Sequence, residues 1–468
     1  MSIQLFIVCA YIALLFGISF WVKKRADAGS TAFLLASRKL TTLLVAVNVT
    51  GLAVGAASTV GVAQRAFGVG LSAGWYNGAW SIGAIVMGLV AAGKLRSMKV
   101  STIPEFFENY YDTKGRLIGA IGLIIIMGVI TSLQYMAGGA ILSSLLPNIF
   151  TFKTGMIMSA VVFIGITLIG GLWSSGLSNI VSVTLIYVGI IYSATQSVAN
   201  VGGWDAMVAK LPNAEIMASP IAGLPLAVII GNIIVMITQT ITAQGPVQFA
   251  CAAENAKSAR NGYLLAGLMI FPVGFICAVV GVVAKVMFPE MPMSQAALAM
   301  PKVIMSLDPL AGGVTLAAMW AADVSTACNL LLSAGTLFSS DIYKRFINPD
   351  CDDKKQLMMT RLCVMISGIL TLGLAMTVSS ILGTIMIGLA LTAAFTMIVF
   401  VALFFPKYTS KAAGFWTLLA GLLTIILYKF CPAVRIFPNV IYLEWIVCIM
   451  TYEVVAIISP AKKEAPAK

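Results

Sequence analysis

The chain has no histidine, and only 10% of its 468 residues are charged. A soluble domain carries about 25% charged residues, so this chain has too few to cover a water-facing surface. The missing histidine removes the commonest general base, the usual proton relay and a frequent zinc ligand. The eight cysteines show no C-x-x-C spacing, which leaves no zinc or redox motif, and they read as packing residues. No G-x-x-x-x-G-K-[ST] loop occurs, so ATP is not expected to drive the protein directly. These absences argue against an enzyme.

What remains is apolar: 60% of residues are hydrophobic and the mean hydropathy is +1.00. Thirteen apolar segments stand out, at about 2–22, 42–66, 72–94, 116–146, 155–171, 178–199, 222–250, 262–287, 308–338, 359–379, 381–405, 412–429 and 439–459. Their lengths suit helices crossing a bilayer, and the short alternating segments of a membrane barrel are missing. The expected fold is an all-α integral membrane protein of about thirteen transmembrane helices. In MSIQLFIVCAYIALLFGISFWVKKR the positive charges follow the apolar run. A signal peptide has the reverse order, so this is expected to be a retained first span with its N-terminus outside. That orientation gathers 22 of the 29 Lys and Arg residues on the inner side, as the positive-inside rule requires. The net charge of +12 is then topological. Membrane lipid is the expected surroundings, nucleic acid is not an expected partner, and the cell (inner) membrane with a cytoplasmic C-terminus is the expected location. The final PAKKEAPAK is expected to be a disordered tail.

Two segments are interrupted. The second carries Gly51, Gly55, Gly61, Gly68 and Gly70, and the seventh contains Gly245-Pro246. Glycine weakens a helix and proline removes a backbone donor. In lipid, irregular backbone survives only where it is enclosed by protein or lines a cavity. Close packing of small residues is the other reading of the glycines. Broken helices at matching places in two five-segment halves point to an inverted-repeat transporter with a midplane site. The division expected is 1–38 as an extra helix, 39–200 and 201–406 as the two repeats, and 407–468 as two further helices and a tail.

Within the ninth segment lies AADVST, residues 321–326. At 100° per residue, Ala322, Ser325, Thr326 and Asn329 share one face. Two hydroxyls and a helix carbonyl there suit a hard cation such as Na⁺, with carbonyls of the 51–55 break completing the shell. The alternative is that both hydroxyls bond back to carbonyls one turn earlier. Asp323 lies about 60° round the helix from Thr326, and intramembrane carboxylates are functional by default.

The sequence resembles the sodium:solute symporter family. The marks are GAASTVGVA (55–63), FGVGLSAGWY (67–76), STIPEFFENYY (101–111), GGLWSS (170–175), VQFACAAENAKSARNG (247–262) and AADVSTACNLLLSAGTLFSSDIY (321–343). The resemblance implies two inverted five-helix repeats and Na⁺-coupled uptake of a small organic solute by alternating access. It implies a sodium site on Gly51 and Val54 of the first broken helix and on Ala322, Ser325 and Thr326. Members with a second sodium site carry a Thr-Asp and a serine pair where this chain has Ser178-Asn179, Cys328 and Asn329, so one coupling sodium is expected. Asp323, Asn329 and Asn179 are candidates for coupling or for supporting the ligands. Carried over from sugar-transporting members, the solute positions are Ser58, Tyr76, Asn77 and Gln239. Their residue types differ from the sugar pattern, which argues against a hexose. Gln134 and Thr392 are further polar groups at membrane depth. Arg65, in the outer part of the first broken helix, suits a carboxylate or a snorkelling position at the outer interface. An anionic or zwitterionic solute, such as an organic or amino acid, is therefore the expectation. Proton coupling through Asp323 and a transporter-like sensor are the alternatives.

Overall fold

With no water to pair backbone groups in a bilayer core, apolar segments must satisfy them internally, as helices. The computed structural model describes residues 3–111, 113–377, 389, 390 and 392–460, and these are helical apart from turns and one isolated bridge between Leu40 and Ala253. The longer helices are α1 (Ile3–Ala26), α2 (Thr42–Ala53), α3 (Val62–Val69), α4 (Trp75–Val90), α5 (Thr113–Leu145), α6 (Phe152–Asn200) and α7 (Leu226–Thr242). Then follow α8 (Gln244–Ala252), α9 (Ala256–Met287), α10 (Pro309–Thr336), α11 (Asp353–Ala375), α12 (Thr392–Phe404), α13 (Lys411–Phe430) and α14 (Val440–Ile458).

Eight helices among the described residues are long and apolar enough to cross a membrane, or ten when two bent pairs are each taken as one span. Thirteen segments were expected, and the difference arises at three places. The 155–171 and 178–199 segments lie in one helical run, α6, which a kink at Gly171 (φ 51°, ψ −143°) divides into two helices, and the count of eight takes both as one. Segments 42–66 and 72–94 fall together in one bent pair. Of segment 381–405, residues 381–388 and 391 lie outside the described residues, and Thr392–Phe404 is a shorter apolar helix. The expected tail also lies outside them beyond residue 460.

The bent pairs are the two interrupted segments. The first turns by 56° between Ala53 and Ala57, the second by 49° between Thr242 and Gln244. In the second, the break falls at Ala243 (φ −71°, ψ 138°), ahead of Gly245-Pro246. Pro246 thereby sits in the first turn of α8, where a missing N–H is harmless.

The α10 span is the most enclosed, with 94% of its apolar window buried inside the protein against 22% for α14. It packs mainly on α6 and α5 and reaches α2 and α8. Its sequence, rich in Ala, Gly and Ser, allows that close approach.

The face that gathers most of the basic residues is tied by them. Arg38 donates to the carbonyls of Cys251 (3.2 Å) and Lys99 (2.7 Å). Arg96 donates to the carbonyls of Ala253 and Glu254. Arg361 pairs with Asp27 at 2.5 Å. The STIPEFFE stretch forms the short helix Ile103–Tyr110, with Thr102 as N-cap to Glu105 and Pro104 in the first turn. Thr102 Oγ1 also donates to Asp341 Oδ1 at 2.9 Å, so the 101–111 and 321–343 stretches bind each other.

Candidate functional site

A break in a membrane helix frees carbonyls at the end of its first half, and each needs a donor or a cation. At the end of α2 the partners are hydroxyls. Thr326 Oγ1 donates to the Gly51 carbonyl at 2.7 Å and lies 3.4 Å from that of Leu52. Ser325 Oγ lies 3.2 Å from Gly51 O and 2.9 Å from Ala322 O. Ser58 Oγ turns back to the Ala53 carbonyl. The freed amide of Ala56 donates to Gln134 Oε1 at 2.9 Å. Four oxygens, from Gly51, Ala322, Ser325 and Thr326, therefore converge in a buried place between α2 and α10. The two readings of the hydroxyls are both present: Ser325 bonds within its own helix and also across to α2. Val54 is the first residue past α2 (φ −95°, ψ 60°), its N–H bonded to Thr50 O, which puts its own carbonyl at the break.

The approach is close enough to require glycine. A Cβ on Gly55 would lie 2.5 Å from Thr326 Oγ1 and 2.7 Å from Gln134 Oε1. One on Gly51 would lie 2.7 Å from Asn179 Oδ1.

Beside these oxygens runs a ladder of neutral polar groups. Asn179 Nδ2 donates to Asn48 Oδ1 at 3.0 Å, and Ser175 Oγ to Asn329 Oδ1 at 2.5 Å. Asn179 Oδ1, Ser178 Oγ and Asn329 Nδ2 have no partner among the described residues. Asp323 is fully buried and neither carboxylate oxygen has a partner among them.

A small central cavity adjoins the break. It is lined by Leu52, Gly55, Tyr76, Trp80, Gln134, Gln239, Ala243, Pro246, Thr326 and Leu330, among others, and its free space is about 30 Å³, room for roughly one or two waters. Both broken helices and α10 contribute to its wall. Of the expected solute positions, Tyr76 and Gln239 line it, and Gln239 Nε2 is buried without a partner among the described residues. Asn77, one residue from Tyr76, faces Gly274 of α9 instead. Ser58 is engaged with Ala53, and Arg65 lies partly exposed on α3, outside the lining. Thr392 joins Thr238 (3.0 Å), Thr242 and Thr396 in a hydroxyl cluster. The sequence reading missed Trp80 and the aliphatic wall, and it did not pair Gln134 with the break. A glutamine at membrane depth, one span after a broken helix, was the available signal.

The chain was compared with known proteins. A family model described as the sodium:solute symporter family matches residues 33–421. A sodium/glucose cotransporter of Vibrio parahaemolyticus is 26% identical over 78% of this chain and 73% of that protein. A sodium/proline symporter of Staphylococcus aureus is 24% identical over 90% of this chain and 85% of that protein. Among solved structures, an outward-open, substrate-bound Na⁺-coupled sialic acid symporter superposes with a TM-score of 0.83 at 15% identity, over 100% of this chain and 99% of that one. Mhp1, a nucleobase-cation-symport-1 family transporter, superposes with a TM-score of 0.64 at 13% identity, over 93% and 96%. The fold is therefore shared with transporters built on inverted repeats whose first helices are broken.

Proposed function

The chain belongs to the sodium:solute symporter family, and from that premise we propose how its residues divide the work of coupled transport. The protein is a multi-pass membrane carrier that takes up a small solute together with Na⁺. The coupling ion is held by the carbonyls of Gly51, Val54 and Ala322 and the hydroxyls of Ser325 and Thr326. The observation that carries this reading is the convergence of Thr326 Oγ1 and Ser325 Oγ on Gly51 O, at 2.7 and 3.2 Å. A hydroxyl that donates to a carbonyl can instead turn its lone pairs to a cation, and the carbonyl then serves the same ion.

One sodium moves per cycle. Asn179 and Asn329 carry no charge, and their amides bond to Asn48 and Ser175. Neutral amides offer a second cation no balancing carboxylate, so the ladder supports the first site. Asp323 lies on the same enclosed helix, fully buried and without a partner among the described residues, and supports the site from behind its ligands.

The solute binds between the broken helices, against Tyr76, Gln239 and Gln134. Gln239 Nε2, a buried donor without a partner among the described residues, suits a carboxylate or carbonyl oxygen. Arg65 forms no ion pair among the described residues and draws an anionic or zwitterionic solute from outside rather than binding it in the cavity. Ser58 and Asn77 reach the solute only after α3 and α4 turn during the cycle. The chain crosses the cell membrane thirteen times, N-terminus outside, with repeats at 39–200 and 201–406.

Uptake into proteoliposomes tests the reading. An inward Na⁺ gradient is expected to drive accumulation of an organic or amino acid with a Hill coefficient near one. A pH gradient alone is expected to drive none. Accumulation driven by protons without Na⁺, or a coefficient near two, overturns it.

A further inference from the structure

Two spaces lie along α10, one on each side of a thin floor. The upper is the central cavity, whose wall includes Ala243 and Pro246 at the start of α8 and Thr326 and Leu330 on α10. The lower is a wider vestibule of about 410 Å³ at the inner face, lined by Leu34, Leu35, Ser101, Arg116, Ser340 and Lys344, among others. Between them stand Gln244 and Gln248, four residues apart on one face of α8 and almost wholly buried.

Each glutamine bridges α8 to a neighbour that borders the vestibule. Gln244 Nε2 donates to the Ser101 carbonyl at 3.3 Å, and its Oε1 accepts from the Ile103 amide at 3.3 Å. Gln248 Nε2 donates to the carbonyl of Leu34 at 2.5 Å, and its Oε1 accepts from Ser333 Oγ at 3.0 Å. Ser333 lies two turns inward of Thr326 on the same face of α10, roughly 10 Å along the axis.

A packed contact joins the floor to the ion site. A Cβ on Gly245 would lie 3.1 Å from a Leu52 methyl and 3.8 Å from Ser333 Oγ. Leu52 is also the residue whose carbonyl lies 3.4 Å from Thr326 Oγ1. A shift of α2 against α10 therefore presses on the first turn of α8 directly above the Gln248–Ser333 bond.

We propose that Gln248 is the latch of the inner gate: its bonds to Ser333 and Leu34 close the solute pathway between central cavity and vestibule, and their rupture opens it. Gln244 is the anchor that keeps the start of α8 on the 101–103 turn while the latch swings. Neutral amides suit this position. They hold the floor through hydrogen bonds of modest net strength and leave no charge stranded in the membrane when they part. The proposal rests on the sodium-coupled reading above, since it assigns the residue that releases the solute inward.

The test is sided labelling of a reporter thiol, Leu330→Cys, in the wall of the central cavity. A membrane-impermeant maleimide is added to inside-out or right-side-out vesicles, with and without Na⁺, and labelling of the parent without the reporter is subtracted. Gln248→Met keeps the length of the side chain and removes both bonds. It is expected to raise labelling from the cytoplasmic face roughly thirtyfold, the population change that follows loss of two net hydrogen bonds, and to lower labelling from outside. Ser333→Ala is expected to act in the same direction, and Ser333→Thr to restore the parental rate. Ser333→Ala carries the test if Gln248→Met fails to reach the membrane. Unchanged cytoplasmic labelling overturns the proposal, and so does an equal rise from both faces, which marks loosened packing. If sodium coupling is what fails, Na⁺ leaves the parental labelling unchanged while Gln248→Met still raises the inner rate.

Discussion

The guanidinium of Arg116 lies 2.7 Å from the carboxylate of Asp341, whose side chain is fully buried. Two of its nitrogens meet the same oxygen, Oδ1, and the other, Oδ2, has no partner among the described residues. Arg116 also reaches Glu108 at 2.5 Å. One cation thus joins the start of α5, the short helix Ile103–Tyr110 and the helical stretch Leu337–Ile347 that continues α10. Removing it strands a buried carboxylate, which costs on the order of 3–5 kcal/mol when a buried pair is broken. Arg116→Met is expected to lower the unfolding temperature in detergent, and Arg116→Met with Asp341→Asn to recover most of the loss. A double variant as unstable as the single one would show that the pair does not carry the effect.

Thr326 is expected to matter through its oxygen and not its shape. Thr326→Val keeps the volume and removes the hydroxyl. It is predicted to raise the Na⁺ concentration for half-maximal uptake about tenfold or more, a typical consequence of a lost buried polar contact. Thr326→Ser is predicted to stay close to the parent. Sodium titration of solute uptake at saturating solute separates the two.

Gly55 sets the distance between the broken helix and α10. Gly55→Ala places a methyl 2.5 Å from Thr326 Oγ1 and 2.7 Å from Gln134 Oε1, so α2 and α10 must move apart. The expected result is loss of sodium-dependent uptake with protein still in the membrane. Gly17→Ala is the control: nothing stands within 4 Å of its new methyl, and uptake is expected to be unchanged.

Glu108 gives the basic face an acid limit. Partial burial raises its carboxyl, but hydrogen bonds and charge from Arg345 and Arg116 outweigh this and hold it below its ordinary value of 4.5. A carboxylate whose folded pKa is depressed contributes stability that is complete above the unfolded value. That contribution is lost as pH falls through the folded value. The resistance of the parent to thermal unfolding is therefore expected to fall as pH drops below about 4.5, and Glu108→Gln to flatten that part of the curve while lowering stability at neutral pH. Added salt is expected to blunt the Arg345 share, since that side chain is 45% exposed.

Much of this was readable before any coordinates. The poverty of charge gave a membrane protein, the glycines at 51 and 55 gave the first break, and AADVST with the family resemblance gave its neighbour on α10. Gly245-Pro246 marked the second break two or three residues late, because proline is tolerated inside the first turn of the half-helix that follows. The wall of the central cavity was less legible. Tyr76 and Asn77 are adjacent, so their directions differ by about 100°. The turn of α4 about its axis, set by packing against Gly274 and Phe275 of α9, decides which of them meets the cavity. No local pattern encodes that rotation. The partners of Gln134, Gln244 and Gln248 escaped for a related reason: an amide in a membrane helix shows only that a partner exists, and the partners lie 78 to 214 positions away.

The choice of hydroxyls over carboxylates at the end of α2 bears on the half of the cycle that carries nothing. After release, a carrier must return across the membrane with its ion ligands unoccupied. Two carboxylates would make that journey as naked anions. On the proposed sodium reading, Thr326 instead quenches the Gly51 carbonyl and Ser325 that of Ala322 with their own protons, so these ligands travel back uncharged and internally bonded. The membrane voltage finds no charge on them to act on during that leg. Its pull falls on the loaded stroke, where the sodium itself is the charge that moves.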